Sequence, residues 1–336
     1  MSSLMLRQRE NRIVFERSLM INSVAIVHYL AAVVTITFPI AGTAIGQAIS
    51  SRAALDALDL QPSARDSLGK ILMVALALTE TAALFSTLMC FMILSAGSFS
   101  MPQSLGQLGA ALAIALPACV VGLASSYVIR KAFEASSRQP LFTQGTTYLL
   151  FLSLSIAQTP TIFGLMIGLF LLKNAAAALF VVEGVKLLAS GVALGVGAVG
   201  PALGVALFGG SACESIGINR NAYGRIFSFA LMSLAIIETP VLFALVISMM
   251  LLFRAPVDLP INGVLYLASA LSIGLCTFGL GVSSGRTASA ACVQIARCSE
   301  EQYSMISKTS ITAQTLSDTN VIYGFLVSFG LILLCF

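Results

Sequence analysis

The chain has 336 residues, of which 58% are hydrophobic and only 10% are charged, and its formal net charge is +4. A soluble domain carries about 25% charged residues, so this chain could not keep a wetted surface of its own. We therefore predict an integral membrane protein, and the lack of any long basic run in the sequence argues against a nucleic-acid partner.

The first predicted element, residues 1–17, carries four arginines and two glutamates but no apolar signal-peptide core. Such a composition is typical of a short amphipathic helix or arm at the membrane interface. From residue 18 onward, long apolar segments alternate with short polar turns. We expect each of these long segments to cross the membrane as a helix.

Small residues recur at alternate positions in four of the apolar segments. These runs lie at 42–48, 120–126, 200–206 and 279–285, in a chain otherwise rich in Leu, Ile and Val. Small side chains let neighbouring membrane helices approach closely. Their recurrence at a nearly fixed period indicates four copies of one packing unit.

Each small-residue helix is followed by a polar turn and a second apolar helix, so the repeated unit is a helical hairpin. We predict an all-α membrane protein whose eight transmembrane helices form four tandem hairpins, 18–95, 102–173, 180–253 and 259–336. The four polar turns then share one side of the membrane, opposite both termini. Eleven Lys and Arg residues lie on the turn side against seven on the other, which predicts turns on the cytoplasmic or matrix side.

A polar residue lies near the centre of the second helix of every hairpin. These residues are Glu80, Gln158, Glu238 and Asp318, spaced by 78, 80 and 80 residues, and each is followed by threonine. A carboxyl group near the bilayer centre costs roughly 2.5–3.5 kcal/mol or more, so it is rarely without a function. The repeated position indicates an ion-carrying membrane protein.

Three features together resemble the proteolipid, or c-type rotor component, of rotary ATPases, with four hairpins fused into one chain. They are the small-residue helix around Gly46, the Arg138-Gln139-Pro140 turn, and the mid-helix pair Glu80-Thr81. The turn favours the F-type ATP synthase c subunits, and the vacuolar or archaeal type is the alternative. The resemblance implies that the chain forms part of a c-ring, with no ATP site and no cofactor of its own.

The resemblance also implies partners and a location. Other copies of the chain would close the ring among the lipids of an energy-coupling membrane, such as a bacterial inner membrane. A stator a subunit, which bears an arginine, would contact the ring from the side. Central stalk subunits would contact the polar turns at Gln61, Pro62, Arg138, Gln139, Pro140, Arg220 and Arg297.

Ion translocation would then depend on three carriers, Glu80, Glu238 and Asp318. A carboxyl group facing lipid is expected to be neutral, because desolvation disfavours its charged form. Gln158 is a degenerate ion site, since an amide has nearly the shape of a protonated carboxyl group but cannot release a proton. We therefore expect each chain to carry three ions per passage. Asp318 is one methylene shorter than glutamate, so its site needs a different geometry.

The transported ion is a proton or a sodium ion. Sodium needs several oxygen ligands around the cation. By resemblance and position, six residues are candidates to support an ion at these sites: Gln47, Thr81, Thr239, Thr319, Tyr323 and Gln314. Ser125, Val205 and Ser284 replace Gln47 in the later hairpins, and all sites of one ring must serve one ion. We therefore expect protons, with sodium as the alternative.

Two other classes of membrane protein fit the sequence less well. A secondary transporter built from repeats often places its polar groups on interrupted helices. The two-span unit repeated here in one orientation predicts no such interruption at the acids. A non-catalytic membrane scaffold would have no reason to retain three carboxyl groups at the midplane.

Overall fold

The computed structural model describes residues 2–98, 100–255 and 259–335, with side chains from residue 22 onward. Within these ranges the chain is helical apart from short connections. The nine α-helices are α1 Ser2–Leu60, α2 Arg65–Ala96, α3 Met101–Arg138, α4 Thr143–Ala157, α5 Thr159–Ala175, α6 Val181–Ile218, α7 Tyr223–Phe253, α8 Pro260–Arg297 and α9 Glu300–Leu333.

The polar turns that join the two helices of a hairpin are tight. Three of them contain a 3₁₀ turn, Pro62–Ala64, Pro140–Phe142 and Arg220–Ala222. Proline suits the first position of such a turn, because its missing N–H would have no partner there. The fourth turn instead starts α9 with a capping box between Ser299 and Gln302.

The helices form two layers. The inner layer is a row of the four small-residue helices in the order α1, α3, α6 and α8, each packed closely along the next. The outer layer contains α2, the pair α4–α5, α7 and α9. Each of the first three outer elements packs against the inner helix of its own hairpin and against that of the following hairpin. The end members of the inner row, α1 and α8, mark its two edges.

The close approach of the inner helices depends on glycine. A β-carbon added to Gly46 would clash with the carbonyl oxygen of Gly122, and one added to Gly204 would clash with that of Gly281. The two backbones are therefore in direct contact at both interfaces, in agreement with the alternating small residues in the sequence.

Paired serines fasten inner to outer helices within hairpins 3 and 4. Ser190 and Ser248 each donate to the carbonyl of the other, at 2.7 and 2.8 Å. Ser269 and Ser328 form the same reciprocal pair at 2.9 and 2.8 Å. These bonds satisfy buried hydroxyl groups, and they hold the two helices in register.

Among the described residues, eight segments are long and apolar enough to cross a membrane, which confirms the predicted count of eight transmembrane helices. The pair α4–α5 counts as one of them. Residues 2–17, predicted as an interfacial helix or arm, continue into the first span as part of α1. Pro256, which the sequence suggested as a breaker in the last join, and the end points Met1 and Phe336 lie outside the described residues.

Candidate ion-binding sites

The polar mid-helix residues of hairpins 2 and 3 lie where one outer helix meets the outer helix of the preceding hairpin. Gln158 of hairpin 2 reaches the carbonyl of Leu78 in α2. Glu238 of hairpin 3 is half-buried and faces the side chain of Thr159 in α5. The junction between successive hairpins therefore builds the environment of each residue.

Gln158 is held by two hydrogen bonds. Its Nε2 donates to the Leu78 carbonyl at 2.9 Å, and its Oε1 accepts from the hydroxyl of Thr161 at 3.2 Å. The side chain is 6% exposed. Both ends of the amide are thus satisfied at a buried junction, which a carboxylate could not achieve because it has no donor.

The outer helix of hairpin 2 is interrupted at Gln158, since α4 ends at Ala157 and α5 begins at Thr159. The sequence predicted uninterrupted helices at the acids, and this holds at Glu80, Glu238 and Asp318. Pro160 removes a helical N–H donor just beyond Gln158. The break therefore falls at the one position of the four that lacks a carboxyl group.

The surroundings of Glu238 are poor in oxygen. Its Oε1 is buried and has no hydrogen-bond partner among the described residues, although the Thr159 side chain lies close to the carboxyl group. The aligned position on the inner helix is Val205, which is fully apolar and buried. A bare carboxylate would be costly in this setting, so the geometry suits a neutral carboxyl group.

Asp318 has a polar partner on the inner helix of its own hairpin. The hydroxyl of Ser284 donates to its Oδ1 at 3.1 Å. One turn earlier, the fully buried Gln314 donates to Ser310 at 3.1 Å and to Ser233 of α7 at 3.4 Å. The Oε1 of Gln314 has no partner among the described residues. Gln314 thus ties α9 to the preceding hairpin and leaves one acceptor free near the acid.

Glu80 is exposed, in contrast to the other three positions. It lines a groove of about 250 Å³ between α1 and α2, together with Gln47. Thr43 and Thr87 line the same groove. The structure therefore brings the predicted residues Gln47 and Glu80 to one groove, at the α1 edge of the inner row.

The predicted supporting hydroxyl groups bond to their own helices. Thr81 donates to Leu78 at 2.7 Å, Thr239 to Ala235 at 3.2 Å, and Thr319 to Leu316 at 2.7 Å. Tyr323 is 67% exposed. Three residues beside the mid-helix positions were not among the predicted support: Thr159, Thr161 and Ser284. Two of them had a usable signal: Thr159 follows its mid-helix residue as Thr81 does, and Ser284 aligns with Gln47.

The predicted stalk-contact residues lie together at the turn end of the bundle. Five of them are exposed and two are half-buried: Pro62, Arg138, Pro140, Arg220 and Arg297, and Gln61 and Gln139. An ion-pair cluster borders this end, in which Lys131 bridges Glu134 at 3.0 Å and Glu214 of the next inner helix at 3.1 Å.

Tandem membrane hairpins with a polar residue midway along each outer helix define a proteolipid-type membrane protein. The family model for the C subunit of ATP synthase matches four times, at 30–93, 108–171, 188–251 and 267–331. The chain therefore belongs to the ATP synthase C-subunit family, with four copies of its hairpin.

Curated relatives, each named as an ATP synthase c subunit, match about one hairpin at a time. That of Dehalococcoides mccartyi strain CBDB1 is 46% identical over 71 residues, 21% of this chain and 93% of the relative. That of Petrotoga mobilis is 35% identical over 71 residues, 21% of this chain and 74% of the relative. The chloroplastic protein of Rhodomonas salina is 36% identical over 76 residues, 23% of this chain and 93% of the relative.

Proposed function

We propose that this rotor proteolipid carries protons on Glu80, Glu238 and Asp318 as a ring of its copies turns in the membrane. Each carboxyl group takes up a proton, crosses the lipid in the neutral form, and releases the proton beside a stator a subunit. One observation carries this proposal. The three carboxyl groups occupy equivalent positions in repeats of the family's hairpin, midway along uninterrupted outer helices.

Protons are favoured over sodium by the Glu238 site. A hard cation needs a shell of oxygen ligands. The described surroundings of this carboxyl group offer Thr159, while Val205 occupies the place of Gln47 and Oε1 lacks a partner. Since every site of one ring must serve the same ion, the site poorest in oxygen decides which ion the ring carries.

Gln158 is proposed to carry no ion. Its amide is bonded at both ends, as a permanently loaded carboxyl group would be, and it has no acidic proton to release. Each chain would therefore translocate three ions per passage with four hairpins. A ring with fewer ions per turn needs a larger ion gradient to drive ATP synthesis, and it builds a larger gradient when it pumps.

Sodium is a second candidate, and the hairpin 1 groove is the observation that favours it. Gln47, Glu80, Thr43 and Thr87 line that groove and together offer several oxygens.

The other proposed partners are central stalk subunits, which would bind the exposed turn end on the cytoplasmic or matrix side. Nucleotide chemistry would take place on other chains of the complex.

A carboxyl-labelling experiment tests the proposal. Intact rings in native membranes are treated with a hydrophobic carbodiimide, which reacts with protonated carboxyl groups, and the modified peptides are identified by mass spectrometry. We expect label at Glu80, Glu238 and Asp318 and none at Gln158, with no protection by sodium ions at neutral pH. The variant Gln158→Glu is the matched control, since it should add a fourth labelled position.

Two outcomes would contradict the proposal. If sodium ions protect all three carboxyl groups from labelling, the transported ion is sodium and not the proton. Label at fewer than three of the acids, in rings that remain assembled, would refute three ions per chain.

A further inference from the structure

The interface between the inner helices α3 and α6 is closely packed at the turn end of the bundle. A β-carbon added to Gly210 would clash with the ring of Tyr127, and one added to Gly217 would clash with the backbone of α3. Lys131 of α3 adds an ion pair of 3.1 Å to Glu214 of α6. The two helices are therefore in direct contact at this level.

The neighbouring interface, between α1 and α3, has smaller residues on the first of its two helices. The mid-helix polar residues of hairpins 1 and 2 are 78 residues apart, and the same spacing relates the other equivalent positions of these hairpins. Ile49 of α1 therefore corresponds to Tyr127 of α3, and Ala53 corresponds to Lys131. Neither side chain can reach as far as its counterpart, so α1 leaves space in front of α3.

The facing side of α3 carries larger residues where α6 has glycine. With the spacing of 80 between hairpins 2 and 3, Arg130 corresponds to Gly210 and Ser137 corresponds to Gly217. A side chain at these positions prevents the close backbone approach that glycine allows. The result is a cavity of about 560 Å³ between α1 and α3, here called the α1–α3 cavity. All four altered positions line it: Ile49, Ala53, Arg130 and Ser137.

Two basic and two acidic side chains also line this cavity, Arg52 and Asp56 on α1 and Arg130 and Glu134 on α3. Arg130 is held in place, because its Nε lies 3.5 Å from the Glu134 carboxylate and its guanidinium lies 5.7 Å from the centre of the Tyr127 ring. Arg52 and Asp56 are one helical turn apart, yet neither forms an ion pair among the described residues. The α1 wall thus presents one unpaired charge of each sign.

The α1–α3 cavity lies where two membrane spans end, Asn22–Leu60 and Met101–Arg138. Basic side chains at the ends of spans lie at the level of the lipid headgroups. Ile49, by contrast, lies about three turns before the end of its span, so the cavity also has an apolar wall that extends toward the membrane interior. Its volume of about 560 Å³ falls within the range of about 300–1,000 Å³ that is typical of small-molecule sites.

We propose that the α1–α3 cavity binds the headgroup of a zwitterionic phospholipid with a free amine, such as phosphatidylethanolamine, in the turn-side leaflet. The phosphate would lie between Arg52 and Arg130, and the ammonium group would donate to Asp56 and Glu134. The two positive and two negative charges of the lining cancel, so a purely anionic headgroup would gain two arginines but also meet two carboxylates. This site is separate from the ion sites, so its test does not depend on whether the acids carry protons.

Photo-crosslinking tests the site in the assembled protein. Rings are reconstituted in phosphatidylcholine vesicles with a trace of phosphatidylethanolamine that carries a diazirine in its acyl chain near the glycerol, and labelled peptides are identified by mass spectrometry. We expect label on α1 and α3 around Ile49. Unlabelled phosphatidylethanolamine should suppress it roughly fivefold more effectively than phosphatidylglycerol with the same chains. Equal suppression by the two lipids, stronger suppression by phosphatidylglycerol, or label spread evenly over the lipid-facing helices would overturn the proposal.

Variants of the α1 wall test which residues form the site. Ala53→Lys introduces the lysine that α3 has at Lys131, so it should fill the cavity and abolish the label. Asp56→Asn keeps the shape of the cavity and removes one charged acceptor, so the label should fall roughly threefold to tenfold. Asp66→Asn is the matched control, since Asp66 lies 3.4 Å from Arg65 at the exposed turn, outside the cavity. Unchanged label in Asp56→Asn rings, or an equal loss in Asp66→Asn rings, refutes the site whether or not the Ala53→Lys protein assembles.

Discussion

Ser284 on α8 donates a hydrogen bond of 3.1 Å to Oδ1 of Asp318 on α9. The serine lies at the position that Gln47 occupies in hairpin 1, where Gln47 lines the same groove as Glu80. Aspartate is one methylene shorter than glutamate, yet its Oδ1 lies within hydrogen-bond distance of the serine hydroxyl. The pair shows how the shorter acid of the fourth hairpin contacts its inner helix.

The first prediction concerns this bond. Ser284→Ala removes the donor that stabilises the charged form of Asp318, so more of the carboxyl group should be protonated at a given pH. Its carbodiimide labelling should persist at more alkaline pH than in the unaltered chain, while Glu238 is unaffected. Ser125→Ala, at the equivalent position of hairpin 2, is the control. Equal labelling curves for Asp318 in both variants would show that the hydrogen bond has no influence on ionisation.

The second prediction concerns Gln158. Gln158→Leu removes its bonds to Leu78 and Thr161 at a buried junction, so we expect a loss of about 1–2 kcal/mol in stability. Unfolding of the purified protein in detergent, followed by circular dichroism, measures it. Gln144→Leu is the control, because Gln144 is exposed and bonds to the Tyr148 hydroxyl at the turn end. A Gln158→Leu protein as stable as the Gln144→Leu protein would contradict a structural role for the amide.

The third prediction concerns the inner row. Gly204→Ala places a methyl group against the Gly281 carbonyl and should force α6 and α8 apart, at a cost of about 1–3 kcal/mol. Gly224→Ala is the control, since a β-carbon there meets nothing within 4 Å. Thermal stability in detergent and the yield of assembled rings should fall for the first variant only. Similar yields for both variants would mean that the interface between α6 and α8 accommodates the methyl group without loss of stability.

The fourth prediction concerns the ion pairs that join hairpins 2 and 3. The Lys131 side chain is 15% exposed between Glu134 and Glu214, whereas Arg65 beside Asp66 is 79% exposed. Lys131→Met should therefore destabilise the protein by about 1 kcal/mol or more, and Arg65→Met should have little effect. Denaturant titration at low and high salt measures both variants. Equal denaturation midpoints for the two variants would show that the ion pairs of Lys131 contribute no more to stability than an exposed surface ion pair.

The fold could be predicted from the sequence because the residues that determine it recur at regular intervals. Small residues at alternate positions determine which helices form the inner row, and the spacing of Glu80, Gln158, Glu238 and Asp318 places them at equivalent points of the outer helices. Both patterns depend only on residue type and spacing, so they can be recognised without knowledge of how the helices pack.

Contacts between hairpins could not be predicted in the same way. Thr159 faces the acid of the next hairpin, and nothing in its own segment indicates the relative rotation of α5 and α7 that brings it there. The break at Gln158 is a similar case. Pro160 and Pro240 follow their mid-helix residues at the same distance, yet α7 remains continuous while α4 and α5 separate. The local sequence is alike at both prolines, so tertiary packing decides between the two outcomes.

Covalent fusion fixes the order in which the four hairpins pass any point on the rim. Gln158 always follows Glu80 and always precedes Glu238. A ring of single-hairpin proteins has the same spacing at every step. With Gln158 as a position that carries no ion, as proposed above, a ring of this chain would have one double-width interval in each chain. The ring would then rotate in steps of unequal size, and the pattern of steps would repeat once per chain. The number of double-width steps per full turn, measured in high-speed recordings of rotation, would therefore equal the number of chains in the ring.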